Sequence, residues 1–221
     1  MLIDEYVRSL DRALTGPGRL KDDLLREARH GLVDAASAYQ EEGLAAAEAQ
    51  RRAVADFGGV RELAPAYQAE LAAGAARRLA LRMMLVPALF TALADFMWRG
   101  GPWTASASMP PGGYLLVARV QDYLGYAYAV LAVAAYAWLA WRVRRGRAVG
   151  RGPARAIAVG TLAMVGVGTA GGWLMYVWSV QMWPAALTWP PMIVGGLVIA
   201  ATYGWLGRSA LTCLAAARAR P

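Results

Sequence analysis

Apolar residues recur at helical spacing through the first 76 residues. Ile3, Val7, Leu10 and Leu14 predict a first helix, with Asp4–Arg8 as an exposed i,i+4 pair. Gly16-Pro17-Gly18 ends it, because proline lacks an N–H and glycine tolerates turn dihedrals. A second helix runs from about Leu20 to Gln40, with Leu24, Leu25, Ala28, Leu32, Ala36 and Tyr39 broadly on one face. After Gly43, Leu44–Phe57 predicts a third helix that turns Ala46, Ala49, Ala53 and Phe57 inward beside Val54. Gly58-Gly59 closes it. A fourth starts at Val60 and carries Leu63, Tyr67 and Leu71, with Pro65 near its first turn or bending it. Such a small head has a thin core and needs neighbours or a partner.

From residue 77 the pattern changes to long apolar runs. Four candidate spans lie at about 79–98, 115–141, 157–178 and 191–210. A helix rises ~1.5 Å per residue, so ~20 apolar residues cross a hydrocarbon core of ~30 Å. The second span is long and carries Arg119 and Asp122 in its opening turns, so it begins among headgroups. The fourth is short and gains length by continuing past Arg208. Four buried helices of a water-soluble protein would need more polar surface than this chain has. The expected fold is therefore all-α: a small cytoplasmic helical domain (1–76) followed by a four-helix transmembrane bundle (77–221).

Composition agrees. Of 221 residues, 58% are hydrophobic and 17% charged, against ~25% charged in ordinary soluble domains. The net charge of +8 divides unevenly. Residues 1–76 hold thirteen acids and nine bases, net −4, and residues 77–221 hold fourteen bases and two acids, net +12. Strong basicity in so apolar a segment points to membrane topology, and direct nucleic-acid contact is not expected.

Arginines cluster before the first span (Arg77, Arg78, Arg82), between the second and third (Arg142, Arg144, Arg145, Arg147, Arg151, Arg155) and after the fourth (Arg208, Arg218, Arg220). The loop 179–190 is uncharged. The positive-inside rule then places both termini and the middle loop in the cytoplasm of a bacterial plasma-membrane protein. Trp98, Trp103, Trp173, Trp178, Trp183 and Trp189 fall toward the outer leaflet, either as an interfacial belt or as the lining of a ligand pocket. Near the same level, Asp95, Arg99, Arg119 and Asp122, with Trp98 and Trp178, form a candidate outer-face polar site. The alternative is an interfacial salt-bridge cluster pinning the first two spans. Gly168-x-x-x-Gly172, Gly196-x-x-x-Ala200 and Ala200-x-x-x-Gly204 would let helices approach closely, within the bundle or in a homo-oligomer. The six-arginine middle loop suits anionic lipid.

Little enzymatic chemistry is visible. One cysteine (Cys213) excludes an intrachain disulfide, and one histidine (His30) excludes a histidine metal cluster. Glu27, His30 and Asp34 share a helix face, as a metal or pH-sensing face or as a solvated, partner-facing stripe. No phosphate loop, nucleophile elbow or zinc spacing occurs, so no catalytic residue, metal or cofactor is expected.

Three segments carry a resemblance: Arg19 to Ala35 (RLKDDLLREARHGLVDA), AVADFG at 53–58 and APAYQAEL at 64–71. They resemble the permease prefix domain 1 family of actinobacteria, a relative of HAAS-type signalling domains, over about the first 80 residues. The resemblance implies a cytoplasmic helical module preceding membrane spans, on ABC-type permeases or on small multi-spanning proteins often encoded beside PadR-like transcriptional regulators. With four spans and no large extracytoplasmic domain, this chain departs from the large permease version. The expected function is a non-enzymatic membrane sensor or anchor. Its head would bind a PadR-like regulator through charges such as Arg26, Glu27, Arg29, His30 and Asp34. The alternative is a transporter or ABC-permease accessory subunit, in which Asp95 and Asp122 would couple to ions or substrate.

Overall fold

Helix formers dominate the segments bounded by Gly16-Pro17-Gly18, Gly43 and Gly58-Gly59, and each of these is helical. A computed structural model describes residues 2–98, 110–145 and 149–219, and side chains throughout these except at 87–89 and 91–98. Among the described residues the regular elements are α1 (Leu2–Ala13), α2 (Gly18–Glu41), α3 (Ala46–Phe57), α4 (Val60–Trp98), α5 (Gly112–Arg144), α6 (Arg151–Met182) and α7 (Pro190–Arg218), with a 3₁₀ turn at Pro184–Thr188. The expected fourth helix and first span are one helix, α4, which Pro65 does not interrupt.

The chain divides into two compact units. The first holds Met1–Ala76, Arg142–Ala156 and Thr212–Pro221; the second holds Arg77–Trp141 and Ile157–Leu211. The N-terminal helices thus share a unit with the arginine-rich α5–α6 junction and the end of α7, segments that sequence alone groups with the spans.

In the first unit, Ile3, Tyr6, Leu10 and Leu14 of α1 and its C-terminal turn bury against Ala28, Leu32 and Ala36 of α2, with Ala53 of α3 and Ala64 and Leu71 of α4. The apolar stripes of α1 and α2 produce this core directly. Ala46 is the exception: it stands at the first residue of α3 and is exposed. Tyr6 meets the Phe57 ring edge-on at 5.8 Å and donates its hydroxyl hydrogen to the Gly58 carbonyl at 2.8 Å. Gly43 and Gly58 stop α2 and α3 with φ of 96° and 102°, values that side chains with a Cβ rarely adopt. Asp4 pairs with Arg29 of α2 at 3.0 Å, so its partner is a neighbouring helix and not Arg8.

One polar side chain ties three segments of this unit together. Gln68 is fully buried. Its Oε1 accepts from the Thr15 N–H at 2.9 Å, and its Nε2 donates to the Thr15 carbonyl at 2.6 Å and to the Ala216 carbonyl at 2.7 Å. Nearby, Arg151 donates to the Ala219 carbonyl at 2.8 Å, and the buried Cys213 thiol approaches the Ala154 carbonyl at 3.7 Å.

The second unit contains the apolar lengths of α5, α6 and α7, which are 33, 32 and 29 residues long. Their most apolar windows have mean hydropathies of 1.5, 1.5 and 1.3, yet only 11%, 17% and 11% of those windows is buried by protein. Val130, Leu131, Trp173 and Leu197 are each more than 60% exposed. Water is a poor solvent for such a surface; hydrocarbon is a good one. The chain is a multi-pass membrane protein, with three helices long and apolar enough to span a membrane among the described residues. The expected span at 79–98 lies in α4, where most side chains fall outside the described residues.

Of the glycines in the small-residue spacings, Gly168 meets a neighbouring helix within the chain. A Cβ on Gly168 would lie 2.6 Å from the Tyr203 hydroxyl, so this glycine makes room for a tyrosine ring. Gly172, Gly196 and Gly204 face open space within the chain.

Replacing Gln68 by alanine removes three hydrogen bonds, one to the carbonyl of buried Ala216 and two to the backbone of Thr15, which water can reach. The expected destabilisation is about 1–3 kcal/mol, the cost of leaving the Ala216 carbonyl without its partner. Maleimide labelling of the lone Cys213 checks this in full-length protein: slow in wild type, and at least tenfold faster in Gln68→Ala.

Candidate functional site

Two regions gather the chemistry, one in each unit. In the first, α2 presents Leu24, Glu27 and Ala28 on one face by their i, i+3, i+4 spacing, and α4 presents Tyr67 and Glu70 by an i, i+3 spacing. Together with Phe57 at the end of α3 they line a groove of about 230 Å³. Two of its lining residues are carboxylates, beside the apolar side chains of Leu24, Ala28 and Phe57. Neither Glu27 nor Glu70 forms an ion pair with a described residue. Burial, and then the negative charge of Glu70 and Glu27, raises the pKa of the Tyr67 hydroxyl, so both carboxylates act on the same small volume.

The other charges expected at the head's binding face are placed differently. Arg26 turns back to Asp23 at 3.2 Å and Arg29 crosses to Asp4 at 3.0 Å, which commits both guanidiniums within the chain. His30 and Asp34 are exposed. No group of three histidine, cysteine or carboxylate side chains among the described residues is arranged to hold a metal ion. Of the five residues named from sequence only Glu27 belongs to the groove. Phe57, Tyr67 and Glu70 lie 30 or more residues further on, beyond the reach of a pattern read on one helix. The signal that was present is the Tyr67–Glu70 spacing on a helix whose opposite face is apolar.

In the second unit, Trp178 joins an aromatic cluster around the buried Tyr114. Trp178 lies 6.4 Å and Trp183 6.5 Å from the Tyr114 ring, and Ser179 is within hydrogen-bond distance of its hydroxyl at 3.4 Å. Of the other residues proposed for an outer-face polar site, Arg119 and Asp122 are exposed and make no ion pair or side-chain hydrogen bond with a described residue. The Asp95 and Trp98 side chains, and Arg99 entirely, lie outside the described residues. Deeper in the unit Gln121 donates to the Gly168 carbonyl at 3.3 Å, and Tyr203 stacks edge-on with Phe90 at 6.2 Å.

Arginines and aromatic rings pair at another place in this unit. Arg77 lies over the Tyr136 ring at 5.6 Å, and Arg82 over the Trp205 ring at 4.4 Å. Arg82 also donates to the Ser209 hydroxyl at 2.5 Å. The partners were not legible in sequence, which marks Arg82 as a topology signal and as a costly ionisable residue within a span.

No family model, curated protein or solved structure matches the chain.

Two carboxylates that brace the first unit give a pH prediction. The Asp4 carboxyl is held below its ordinary value of 3.8 by hydrogen bonding and then by the charge of Arg29. That of Asp56 is lowered by the Tyr39 hydroxyl, with Arg52 assisting. Both contribute stability above the ordinary carboxylate range, and it is lost as pH falls through the lowered folded values. Carboxyl-carbon NMR titration of the full-length protein in detergent should give both midpoints below 3.8; midpoints at or above it contradict the two pairings.

Proposed function

We propose that this chain is a non-enzymatic membrane-anchored regulatory protein whose N-terminal helices capture a cytosolic protein partner in the Glu27–Glu70 groove. The carrying observation is that groove: two carboxylates without an ion pair among the described residues, lining one cleft with Leu24, Ala28 and Phe57. Like charges that share a small volume repel, and a cation between them relieves the repulsion. An arginine or lysine side chain with an aliphatic stem suits the groove, because the stem covers Leu24, Ala28 and Phe57 while the charge meets both glutamates. The resemblance of residues 19–71 to the permease prefix family names a partner class, the PadR-like transcriptional regulators. A regulator of this class would be held at the membrane through a basic residue on its own surface. DNA would enter the system only through that partner.

The organisation of the first unit supports a cytoplasmic position for the groove. Residues 1–76, 142–156 and 212–221 form one compact unit, which cannot be divided across a bilayer. Six arginines between 142 and 155, with Arg218 and Arg220, belong to that unit, and such density favours the cytoplasmic side of the plasma membrane. The N-terminus, the middle junction and the C-terminus then share one side.

Capture experiments with full-length protein in detergent test this reading. Wild type should retain a PadR-like regulator from the same organism. Glu27→Lys with Glu70→Lys should weaken capture at least tenfold, and Arg26→Glu should change it little, since Arg26 is engaged with Asp23. Failure of the wild type to capture the regulator while an established regulator pair does so, or undiminished capture by the double variant, overturns the proposal.

A further inference from the structure

Arg82 is held by neutral groups alone. Its guanidinium lies 4.4 Å over the Trp205 ring and donates one N–H to Ser209 Oγ at 2.5 Å. Ser209 in turn donates to the Trp205 carbonyl at 2.7 Å, which fixes the hydroxyl as the acceptor for Arg82. A guanidinium has five N–H donors, so most of them remain for a further acceptor. Arg78 precedes Arg82 by one helical turn and lies on the same face of α4. Arg208 adjoins Ser209 and neighbours Trp205 at i,i+3 on α7.

No counter-charge in this unit can reach them. Its acids are Asp95 and Asp122. Asp95 is thirteen residues beyond Arg82 on α4, about 20 Å along the helix axis. Asp122 is fourteen residues from Tyr136, the α5 residue beneath Arg77, or about 21 Å along α5. Arginines at the edge of an apolar span, away from the acids of their own unit, stand where an anionic headgroup can meet them.

The surface beside Arg82 says which anion. Leu85, one turn further into the span, is 63% exposed, and Trp205 is 48% exposed. An anion with an attached acyl chain meets arginines at its head and bare leucine along its tail; a free ion leaves the apolar face uncovered.

We propose that Arg78, Arg82 and Arg208, with Trp205 and Ser209, bind the phosphate headgroup of an anionic phospholipid whose acyl chain lies along Leu85. Arg82 is the anchor, because Trp205 and Ser209 hold its fork in one orientation and so lower the entropy lost on binding a phosphate. The site is distinct from the acidic groove and stands whether or not the groove binds a regulator.

Native mass spectrometry of the full-length protein, with phosphatidylglycerol, phosphatidylcholine or inorganic phosphate added, tests it. Phosphatidylglycerol should be retained preferentially. Each arginine removed should weaken retention roughly fivefold, the equivalent of the ~1 kcal/mol that one arginine contributes near an anionic surface. Arg82→Gln should show the loss. Arg82→Lys should recover only part of it, since an ammonium cannot present a planar fork. Arg78→Gln alters an exposed position, so it reports on the site even where Arg82→Gln fails to fold. Equal retention of phosphatidylcholine, displacement of the lipid by equimolar inorganic phosphate, or wild-type retention in Arg78→Gln overturns the assignment.

Discussion

The amide of Gln68 carries the first unit. A buried primary amide must find partners for two donors and an oxygen, and in an alanine-rich core few are available. Gln68 finds them in the backbone of Thr15, where α1 gives way to α2, and in the carbonyl of Ala216 near the end of α7. Four of the ten buried residues of the unit's core are alanines (Ala28, Ala36, Ala53 and Ala64), which bury little area each and constrain helix register weakly. Directional hydrogen bonds supply the registration that small apolar side chains cannot. The far end of the chain thereby becomes part of the same body as its beginning, and α4 is held where Tyr67 and Glu70 can face α2.

The second unit obeys a different solvent. Outward-facing Val130, Leu131 and Leu197 would be a defect in water and are an asset in hydrocarbon. Polar side chains there turn toward one another or toward backbone: Gln121 to the Gly168 carbonyl, Arg82 to Ser209 and Trp205. The glycines that accept these neighbours, Gly168 and Gly171, stand out from the many that face open space. Two chemistries follow from this division. An acidic groove without a cation suits a basic protein surface, and arginines without an acid suit a lipid phosphate.

Much of the helical outline was legible in sequence. Gly16-Pro17-Gly18, Gly43 and Gly58 mark breaks because proline removes a donor and glycine alone enters positive φ cheaply. The stripes Ile3–Leu10 and Ala28–Ala36 announce their buried faces. Where α4 begins was also legible; that it continues past residue 76 was not. The one glycine in Leu71–Ala76, Gly74, lies within α4 against the Leu20 side chain and does not break the helix, and the shift from acidic to basic composition is a change of environment and not of backbone. The groove was half legible. Glu27 could be named from its helix, but its relation to Tyr67 and Glu70 depends on how α2 and α4 pack, which is a tertiary fact. Arg26 and Arg29 look equally available in sequence, and intrachain carboxylates claim both.

The account rests on residues 1–76, 142–156 and 212–221 acting as one body on one face of the membrane. Cysteine accessibility in sealed vesicles of known orientation tests this directly, with Cys213 replaced by alanine and single cysteines placed at Ser37, Gly150, Ala215 and Leu187. The account predicts that Ser37→Cys, Gly150→Cys and Ala215→Cys react from the cytoplasmic side and Leu187→Cys from the opposite side. Reaction of Gly150→Cys or Ala215→Cys from the side opposite to Ser37→Cys would contradict it.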